Sequence, residues 1–225
     1  MTRVGHVVYL HGFASSPGST KAQVFRRELA ARGVGLTCPD FNEPSFETLT
    51  IARMVEQACR AVDDAPALPV ALIGSSLGGL VAVHAAASRP ARVDRLVLLA
   101  PALDFGANRL RKLGRDGIEA WRQTGRLRVY HYGDKAERDV GFALYEDAVS
   151  HDASTLPLTV PALVFQGRRD ESVDPAVVER WTRTHPLADL RLVDDGHTLV
   201  DSMPAIVDAT MGFFELGDAE RRGSR

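Results

Sequence analysis

A serine between two glycines is the residue of this chain best placed for nucleophilic chemistry. Gly74–Gly78 has the form G-x-S-x-G, with Ser76 at its centre. An apolar run, Val70–Ile73, precedes it, and a helix-like stretch, Leu80–Ala86, follows it. Between a strand and a helix this pattern forms a nucleophile elbow, because the sharp turn exposes the hydroxyl and the glycines leave room for backbone and substrate. We therefore predict Ser76 as the nucleophile; the alternative is a Gly/Ser-rich turn that only closes a strand.

A serine hydroxyl is a poor nucleophile at neutral pH and needs a base within hydrogen-bond reach. After such an elbow, an acid and then a histidine follow along the chain. Of the seven histidines, only His185 and His197 follow both Ser76 and the late strand-like runs that can supply the acid. We predict His197 as the base, because it lies between a strand and a helix; the alternative is a surface histidine at a helix N-terminus. We expect His185, at the end of a helix, and Asp194–Asp195, at the end of a strand, at the surface.

The acid that orients the base is expected just after the strand-like run Pro161–Gln166. Asp170 comes directly off the end of that run, where a short loop can hold a carboxylate against an imidazole, and we predict it as the acid. Glu171 and Asp174 are competing candidates. Asp174 precedes Pro175 and a helical run, a pattern typical of a helix N-cap.

The tetrahedral intermediate of acyl transfer also needs N–H donors for its oxyanion. We predict the backbone N–H of Leu77, which follows the nucleophile, and that of Phe13, in the loop after the first strand. Gly12 lets that backbone turn. His11 precedes the nucleophile, so we expect it to brace this loop rather than to act as the base. We assign His11 and Gly12 to the substrate-binding residues.

Strand-like and helix-like segments alternate along the chain, which predicts an α/β fold with a mostly parallel central sheet flanked by helices. Continuous apolar runs at 70–73 and 93–100 predict strands buried on both faces. Other strands are expected at 4–10, 34–37, 161–166 and 190–193, and helices at 20–31, 46–62, 77–88 and 199–216. We predict one domain over residues 1–216 and a disordered polar tail over 217–225.

Residues 102–157 interrupt this alternation with an aromatic and basic segment, which we call the cap. Insertions of this length are usually functional or carry their own helices, and we place the cap over the carboxyl ends of the strands, where open sheets bind ligands. Helices are expected at 106–113 and 139–150, and an extended piece at 126–132. We assign Phe105 and Trp121 to substrate binding.

The cap is also rich in basic side chains, including Arg109, Arg111 and Lys112. These would attract an anionic leaving group such as coenzyme A. The simpler interpretation, which we favour, is a solvated face.

Bulk composition excludes several classes of partner. The formal net charge is −2, which offers no electrostatic case for nucleic acid or an anionic membrane. Cys38 and Cys59 are the two cysteines, too few for a disulfide framework, and no Cys/His cluster suggests a metal; we predict no cofactor. No apolar stretch reaches the about 18 residues needed to cross a bilayer, and no leader precedes the first strand, so we predict a cytoplasmic location.

Two stretches carry a family resemblance: Tyr9–Pro17 with Lys21–Ala22 beyond it, and Ile73–Gly79. The chain resembles α/β-hydrolases and, more narrowly, the YqiA-like bacterial serine esterases, which show Y-L-H-G-F-x-S-S-P followed by K-A and a G-S-S-L-G-G elbow. Gly167–Asp170 and Gly196–His197 also match, although those signals are generic to the superfamily, and the cap is longer than expected of the smallest members. The resemblance implies a small cytoplasmic carboxyl-ester or thioester hydrolase without a cofactor.

The leading hypothesis is a serine hydrolase that cleaves carboxylic esters of small or medium acyl groups through an acyl-enzyme. The alternatives are an acyl thioesterase, acting on acyl-CoA or an acylated protein, and a non-catalytic binding protein on a hydrolase fold. A peptidase is disfavoured because no dedicated peptide site is evident. A dehalogenase is disfavoured because it normally needs an aspartate at position 76. The expected partner is a small-molecule ester or thioester, and the oligomeric state is left open.

Overall fold

Six parallel strands form the centre of the computed structural model, which describes residues 3–217. In chain order the strands are β1 (His6–Leu10), β2 (Gly35–Thr37), β3 (Val70–Ser75), β4 (Val93–Leu99), β5 (Arg126–His131), β6 (Ala136–Gly141), β7 (Ala162–Gly167) and β8 (Ala188–Val193). The helices are α1 (Thr20–Ala30), α2 (Ile51–Asp63), α3 (Leu77–Ser88), α4 (Phe105–Thr124), α5 (Ala143–Ser150), α6 (Pro175–Thr184) and α7 (Met203–Phe213). The central sheet has the order β2-β1-β3-β4-β7-β8.

Both faces of the sheet are covered, which is why β3 and β4 are apolar throughout rather than alternating. One apolar cluster packs α2 and α3 against one face, with Met54 and Leu80 fully buried. The other packs α1 and α7 against the opposite face, with Phe25 and Ile206 fully buried. The predicted α/β class, with a mostly parallel sheet flanked by helices, is confirmed.

Two predicted helices begin later than the sequence pattern indicated. The run expected from 46 starts with a short 3₁₀ turn, Phe46–Thr48, and α2 begins only at Ile51, where the Thr50 side chain accepts the Arg53 N–H. The helix expected from 199 begins at Met203 because Leu199 has a positive φ of 56°, which a helix does not allow.

The cap consists of α4, an antiparallel hairpin of β5 and β6, and α5. Gly114 breaks α4 with a φ of +69°. The extended piece expected at 126–132 is confirmed as β5, but the helix expected from 139 is wrong over its first residues, which belong to β6. Arg128 pairs with Asp139 across the hairpin at 3.0 Å, and this pair helps to stabilise β6. Because β6 is mostly exposed, its sequence lacks the alternation of apolar and polar residues from which a strand is predicted.

Two expectations of surface location are wrong. His185 is buried, because its ring stacks on Trp181 at a centroid distance of 4.1 Å and its Nε2 lies 3.0 Å from the Leu156 carbonyl oxygen. Asp195 is buried because it caps the loop that follows β8. The N-cap predicted at Asp174 is confirmed, since its carboxylate accepts the Ala176 N–H at 2.9 Å.

The predicted tail lies outside the described residues except for Gly217. Among the helices of residues 3–217, none is both long and apolar enough to span a bilayer.

Candidate active site

Ser76 occupies the sharp turn between β3 and α3. Its φ of 53° and ψ of −118° lie outside the regions that L-residues ordinarily populate, a strain found at functional sites. The turn is possible only because its flanks are glycines. A β-carbon on Gly74 would collide with the Gly78 carbonyl oxygen, and one on Gly78 would collide with that of Leu10. The elbow geometry therefore holds the serine hydroxyl clear of the backbone.

A histidine from a second strand end contacts this hydroxyl, and an aspartate from a third strand end contacts the histidine. His197, in the loop between β8 and α7, places Nε2 3.0 Å from Ser76 Oγ. Its Nδ1 lies 2.8 Å from Asp170 Oδ2, in the loop after β7. With the proton on Nδ1 donated to the carboxylate, Nε2 is free to accept the serine proton. The structure thus brings together the three side chains that the sequence predicted as catalytic.

Asp170 is held by four hydrogen bonds. Beside the bond from His197, the backbone N–H groups of Ser172 and Val173 donate to Oδ1 at 2.8 Å each, and Gln166 Nε2 donates to Oδ2 at 2.9 Å. Burial alone would raise the pKa of Asp170, but the bonds from His197 and Val173 outweigh it and hold the pKa below its ordinary value. The carboxylate therefore stays ionised while fully shielded from solvent.

Neither of the competing acids, Glu171 and Asp174, forms a hydrogen bond with the His197 imidazole. Glu171 is exposed, and Asp174 caps α6. Only the carboxylate of Asp170 is within hydrogen-bond distance of His197 among the described residues.

Two residues that hold the His197 loop were not predicted. The Asp195 carboxylate accepts the N–H groups of Gly196 at 2.7 Å and Ser202 at 2.9 Å. Lys21 Nζ donates to the Thr198 carbonyl oxygen at 3.1 Å. Burial lowers the pKa of Lys21 to about 8, although the nearby carboxylates of Asp170 and Asp195 partly oppose this. The sequence feature that could have indicated a role for Lys21 is the Lys21–Ala22 pair of the family pattern.

The two predicted oxyanion donors lie at the same edge of the sheet. Leu77 is the first residue of α3, where backbone N–H groups have no intrahelical acceptor. Within residues 3–217, neither the Leu77 nor the Phe13 N–H donates to a protein acceptor. The loop of Phe13 is anchored by His11, whose Nε2 accepts the Phe41 N–H at 3.0 Å, so that its Nδ1 carries the proton donated to the Gly12 carbonyl oxygen at 2.9 Å.

A cavity of about 610 Å³ opens above Ser76 and His197. Its apolar walls are Phe13, Ala102, Phe105, Val129 and Val173. Of the residues assigned to substrate binding from the sequence, Gly12 and Phe105 line this cavity. His11 is buried beneath the loop, and Trp121 does not reach the cavity. Trp121 Nε1 donates to the Val140 carbonyl oxygen at 3.1 Å, so the indole belongs to the core of the cap itself.

The expectation that the basic side chains of the cap form a solvated face is correct for Arg111 and wrong for Arg109. Arg111 is exposed and pairs with Asp104 at 2.6 Å. Lys112 is exposed and donates to the Glu171 carbonyl oxygen at 3.0 Å, while its side chain also reaches the cavity. Arg109 is half-buried and lines the cavity.

Among the described side chains, no group of three or more His, Cys, Asp or Glu is arranged to hold a metal ion. The site itself combines the serine, the imidazole and the buried carboxylate with a partly apolar and partly cationic cavity.

Comparison with known proteins finds curated relatives that are named as thioesterases. A mitochondrial palmitoyl-protein thioesterase of Bos taurus, ABHD10, is 24% identical over 234 residues, which cover 89% of this chain and 74% of the relative. The human protein is 24% identical over 202 residues, and the chain spans only 62% of its length.

Solved structures show the fold. Mouse alpha/beta hydrolase domain-containing protein 10 superposes with a TM-score of 0.81 at 20% identity, covering 96% of this chain and 92% of that one. Est1E from Butyrivibrio proteoclasticus, solved with ferulic acid bound, superposes with a TM-score of 0.79 at 18% identity, covering 95% and 89%.

The model of one family, described as the uncharacterised protein family UPF0227, matches residues 6–211. This match spans all strands of the central sheet and the loops that carry Ser76, Asp170 and His197. The resemblance to α/β-hydrolases noted from the sequence is confirmed, and the chain belongs to the uncharacterised protein family UPF0227, whose fold here is that of an α/β-hydrolase.

Proposed function

We propose that this protein is a serine hydrolase that cleaves carboxylic esters of small or medium acyl groups. The observation that carries the proposal is the continuous hydrogen-bond chain from Ser76 Oγ through His197 to a fully buried Asp170, with distances of 3.0 and 2.8 Å, at the floor of a cavity. A strained serine, an imidazole with one free acceptor nitrogen and a carboxylate that orients it are the parts that acyl transfer needs.

In the proposed reaction, Ser76 Oγ attacks the carbonyl carbon of the ester while its proton moves to His197 Nε2. The tetrahedral oxyanion accepts hydrogen bonds from the N–H groups of Leu77 and Phe13. Collapse of the intermediate breaks the bond to the leaving oxygen, which takes the proton from His197. Water then attacks the acyl-enzyme by the same steps and releases the acid. Asp170 keeps the imidazole in the correct tautomer and stabilises the imidazolium.

The backbone donors carry much of the expected rate enhancement, because losing one oxyanion donor typically removes about 3–4 kcal/mol of transition-state stabilisation. Both proposed donors are anchored in the fold: Leu77 is the first residue of α3, and a hydrogen bond between Phe41 and the buried His11 ties down the loop of Phe13.

The relatives support acyl transfer without deciding the leaving group. ABHD10 is named as a palmitoyl-protein thioesterase, and Est1E was solved with ferulic acid. A cavity of about 610 Å³ with apolar walls is of a size suited to a small or medium acyl group. Thioester hydrolysis is the second candidate, since it would use the same groups and the name of the ABHD10 relatives favours it. The cytoplasmic location predicted from the sequence stays a prediction, because those relatives are named as mitochondrial.

Labelling by a fluorophosphonate probe, together with turnover of p-nitrophenyl butyrate, tests the proposal. Wild-type protein should label and hydrolyse, whereas Ser76→Ala should do neither while keeping its circular dichroism spectrum. Ser75→Ala is the matched control, since Ser75 ends β3 one residue before the turn, and it should retain measurable activity. A folded wild-type protein that neither labels nor hydrolyses would favour the non-catalytic binding protein instead.

A further inference from the structure

Arg109 holds its charge inside the cavity without an acidic partner. Its guanidinium carbon lies 4.9 Å from the centroid of the Phe13 ring and 4.7 Å from that of the Phe105 ring, so two aromatic faces support it. Among residues 3–217 no carboxylate pairs with it, in contrast to Arg111 two positions along the same helix. Burial lowers the pKa of Arg109, as expected for a cation that has lost water without gaining an anion.

The cavity around Arg109 is cationic as a whole. Lys21 and Lys112 also line it, and within the described residues no Asp or Glu side chain does. The nearest catalytic carboxylate, Asp170, is fully shielded and already accepts four hydrogen bonds. The two lysines are anchored on backbone carbonyl oxygens, which leaves the Arg109 guanidinium as the cation with the most unused donors.

We propose that Arg109 binds a carboxylate carried by the ester substrate, so that the enzyme prefers monoanionic esters to neutral ones of equal size. This rests on the proposed ester hydrolysis and names its substrate class. A guanidinium offers paired N–H donors that match a carboxylate, and the partial burial of Arg109 strengthens the pairing. Because Arg109 and Ser76 line the same cavity, a carboxylate on the guanidinium shares that cavity with the reacting carbonyl. Lys21 and Lys112 add attraction without replacing this contact.

The carboxylate can belong to the acyl group or to the leaving group, and two pairs of probes separate these sources. The acyl pair is mono-p-nitrophenyl adipate and its methyl ester. The leaving-group pair is p-carboxyphenyl butyrate and its methyl ester. In each pair kcat/KM is measured for wild type and for Arg109→Gln, and the ratio between the two proteins cancels the intrinsic reactivity of the esters. Arg115→Gln is the matched control, because Arg115 is an exposed arginine of α4 outside the cavity lining.

We expect Arg109→Gln to lower kcat/KM for the anionic member of one pair by about 10- to 100-fold, the range of a charge-assisted hydrogen-bonded pair. The neutral members should lose much less than the anionic ones, and Arg115→Gln should leave kcat/KM unchanged for all four probes. The pair that responds identifies the side of the ester that carries the carboxylate. An equal effect on anionic and neutral members in both pairs would overturn the proposal. If Arg109→Gln does not fold, Arg109→Lys replaces it, and the same selective loss, of smaller size, is expected.

Binding provides a readout that does not depend on turnover. Calorimetry with Ser76→Ala should detect the anionic probe of the responding pair, and the added Arg109→Gln change should weaken its affinity by the same factor. If wild type hydrolyses none of the four esters, the proposed function fails, and calorimetry with both anionic probes still decides the carboxylate site. Equal affinity with and without Arg109 refutes the site even where ester hydrolysis stands.

Discussion

Asp170→Asn is the sharpest test of the proposed triad, because it keeps the shape of the side chain and changes the proton positions. Oδ1 accepts the N–H groups of Ser172 and Val173, so the amide oxygen must take that position to keep both bonds. The new NH₂ group then faces His197 Nδ1. An NH₂ group cannot accept the Nδ1–H bond, so the imidazole is driven to the tautomer with its proton on Nε2, which cannot accept the proton of Ser76.

The neighbouring side chain of Gln166 can accommodate the amide of Asp170→Asn. Gln166 now donates Nε2 to Asp170, while its Oε1 is buried and has no partner among the described residues. Rotating the Gln166 amide would let Oε1 accept the new NH₂ group, although the bond from Nε2 to the Gly167 carbonyl oxygen would be lost. We therefore expect a modest loss of stability and a large loss of rate.

The size of the rate loss follows from two estimates. Removing a unit charge about 4 Å from the imidazolium, at an effective dielectric constant near 20, costs about 4 kcal/mol, or roughly a thousandfold. The wrong tautomer in the corresponding change of a known serine-protease triad lowers kcat about 10⁴-fold. We expect kcat for p-nitrophenyl butyrate to fall between about 10³- and 10⁴-fold.

The control is Asp174→Asn, which alters an N-cap position that asparagine fills about as well as aspartate. It should change kcat little, and urea denaturation should give a free energy of unfolding close to that of wild type. Equal kcat values for the two variants would refute the role of Asp170.

Three further outcomes follow from the geometry. Ser76→Gly should be about 1 kcal/mol more stable to urea than Ser76→Ala, because the φ of 53° strains any residue with a β-carbon; the opposite order would contradict the strained elbow. Gly78→Ala should lower the free energy of unfolding by more than about 3 kcal/mol or prevent folding, since the new β-carbon collides with the Leu10 carbonyl oxygen. Its control is Gly212→Ala, which adds a β-carbon in open space within α7 and should raise the free energy of unfolding by about 0.5–1 kcal/mol. The pKa of Lys21 is about 8 in the folded protein against an ordinary 10.5. Between pH 8 and 10.5 the unfolded chain therefore binds more protons than the folded protein, and the free energy of unfolding should rise with pH. Curves of unfolding free energy against pH that run parallel for wild type and Lys21→Met would contradict this.

Local sequence patterns were sufficient for the fold and for the positions of the three predicted catalytic side chains. Continuous apolar runs identified the buried strands, and parallel strands bring their carboxyl ends to one edge of a sheet. Residues that follow different strands, such as Ser76, Asp170 and His197, therefore meet there even though 121 positions separate the first from the last. Their catalytic roles stay predictions until the variants are measured.

The cap was less predictable, because its local patterns do not say what a side chain packs against. Both Phe105 and Trp121 are buried aromatic residues of α4, yet one lines the cavity and the other fills the core of the cap. The β6 strand is mostly exposed, so it lacks the apolar alternation by which strands are predicted.

By itself, the sequence determined the α/β-hydrolase class, the elbow at Ser76 and the order of its partners, because these depend on local turn chemistry and strand order. Only the tertiary structure decided that Asp170 rather than Glu171 faces the imidazole, and that Arg109 lies unpaired in the cavity while Arg111 pairs with Asp104. The physical reason is that burial, charge pairing and desolvation depend on neighbours from distant parts of the chain, which no local pattern specifies.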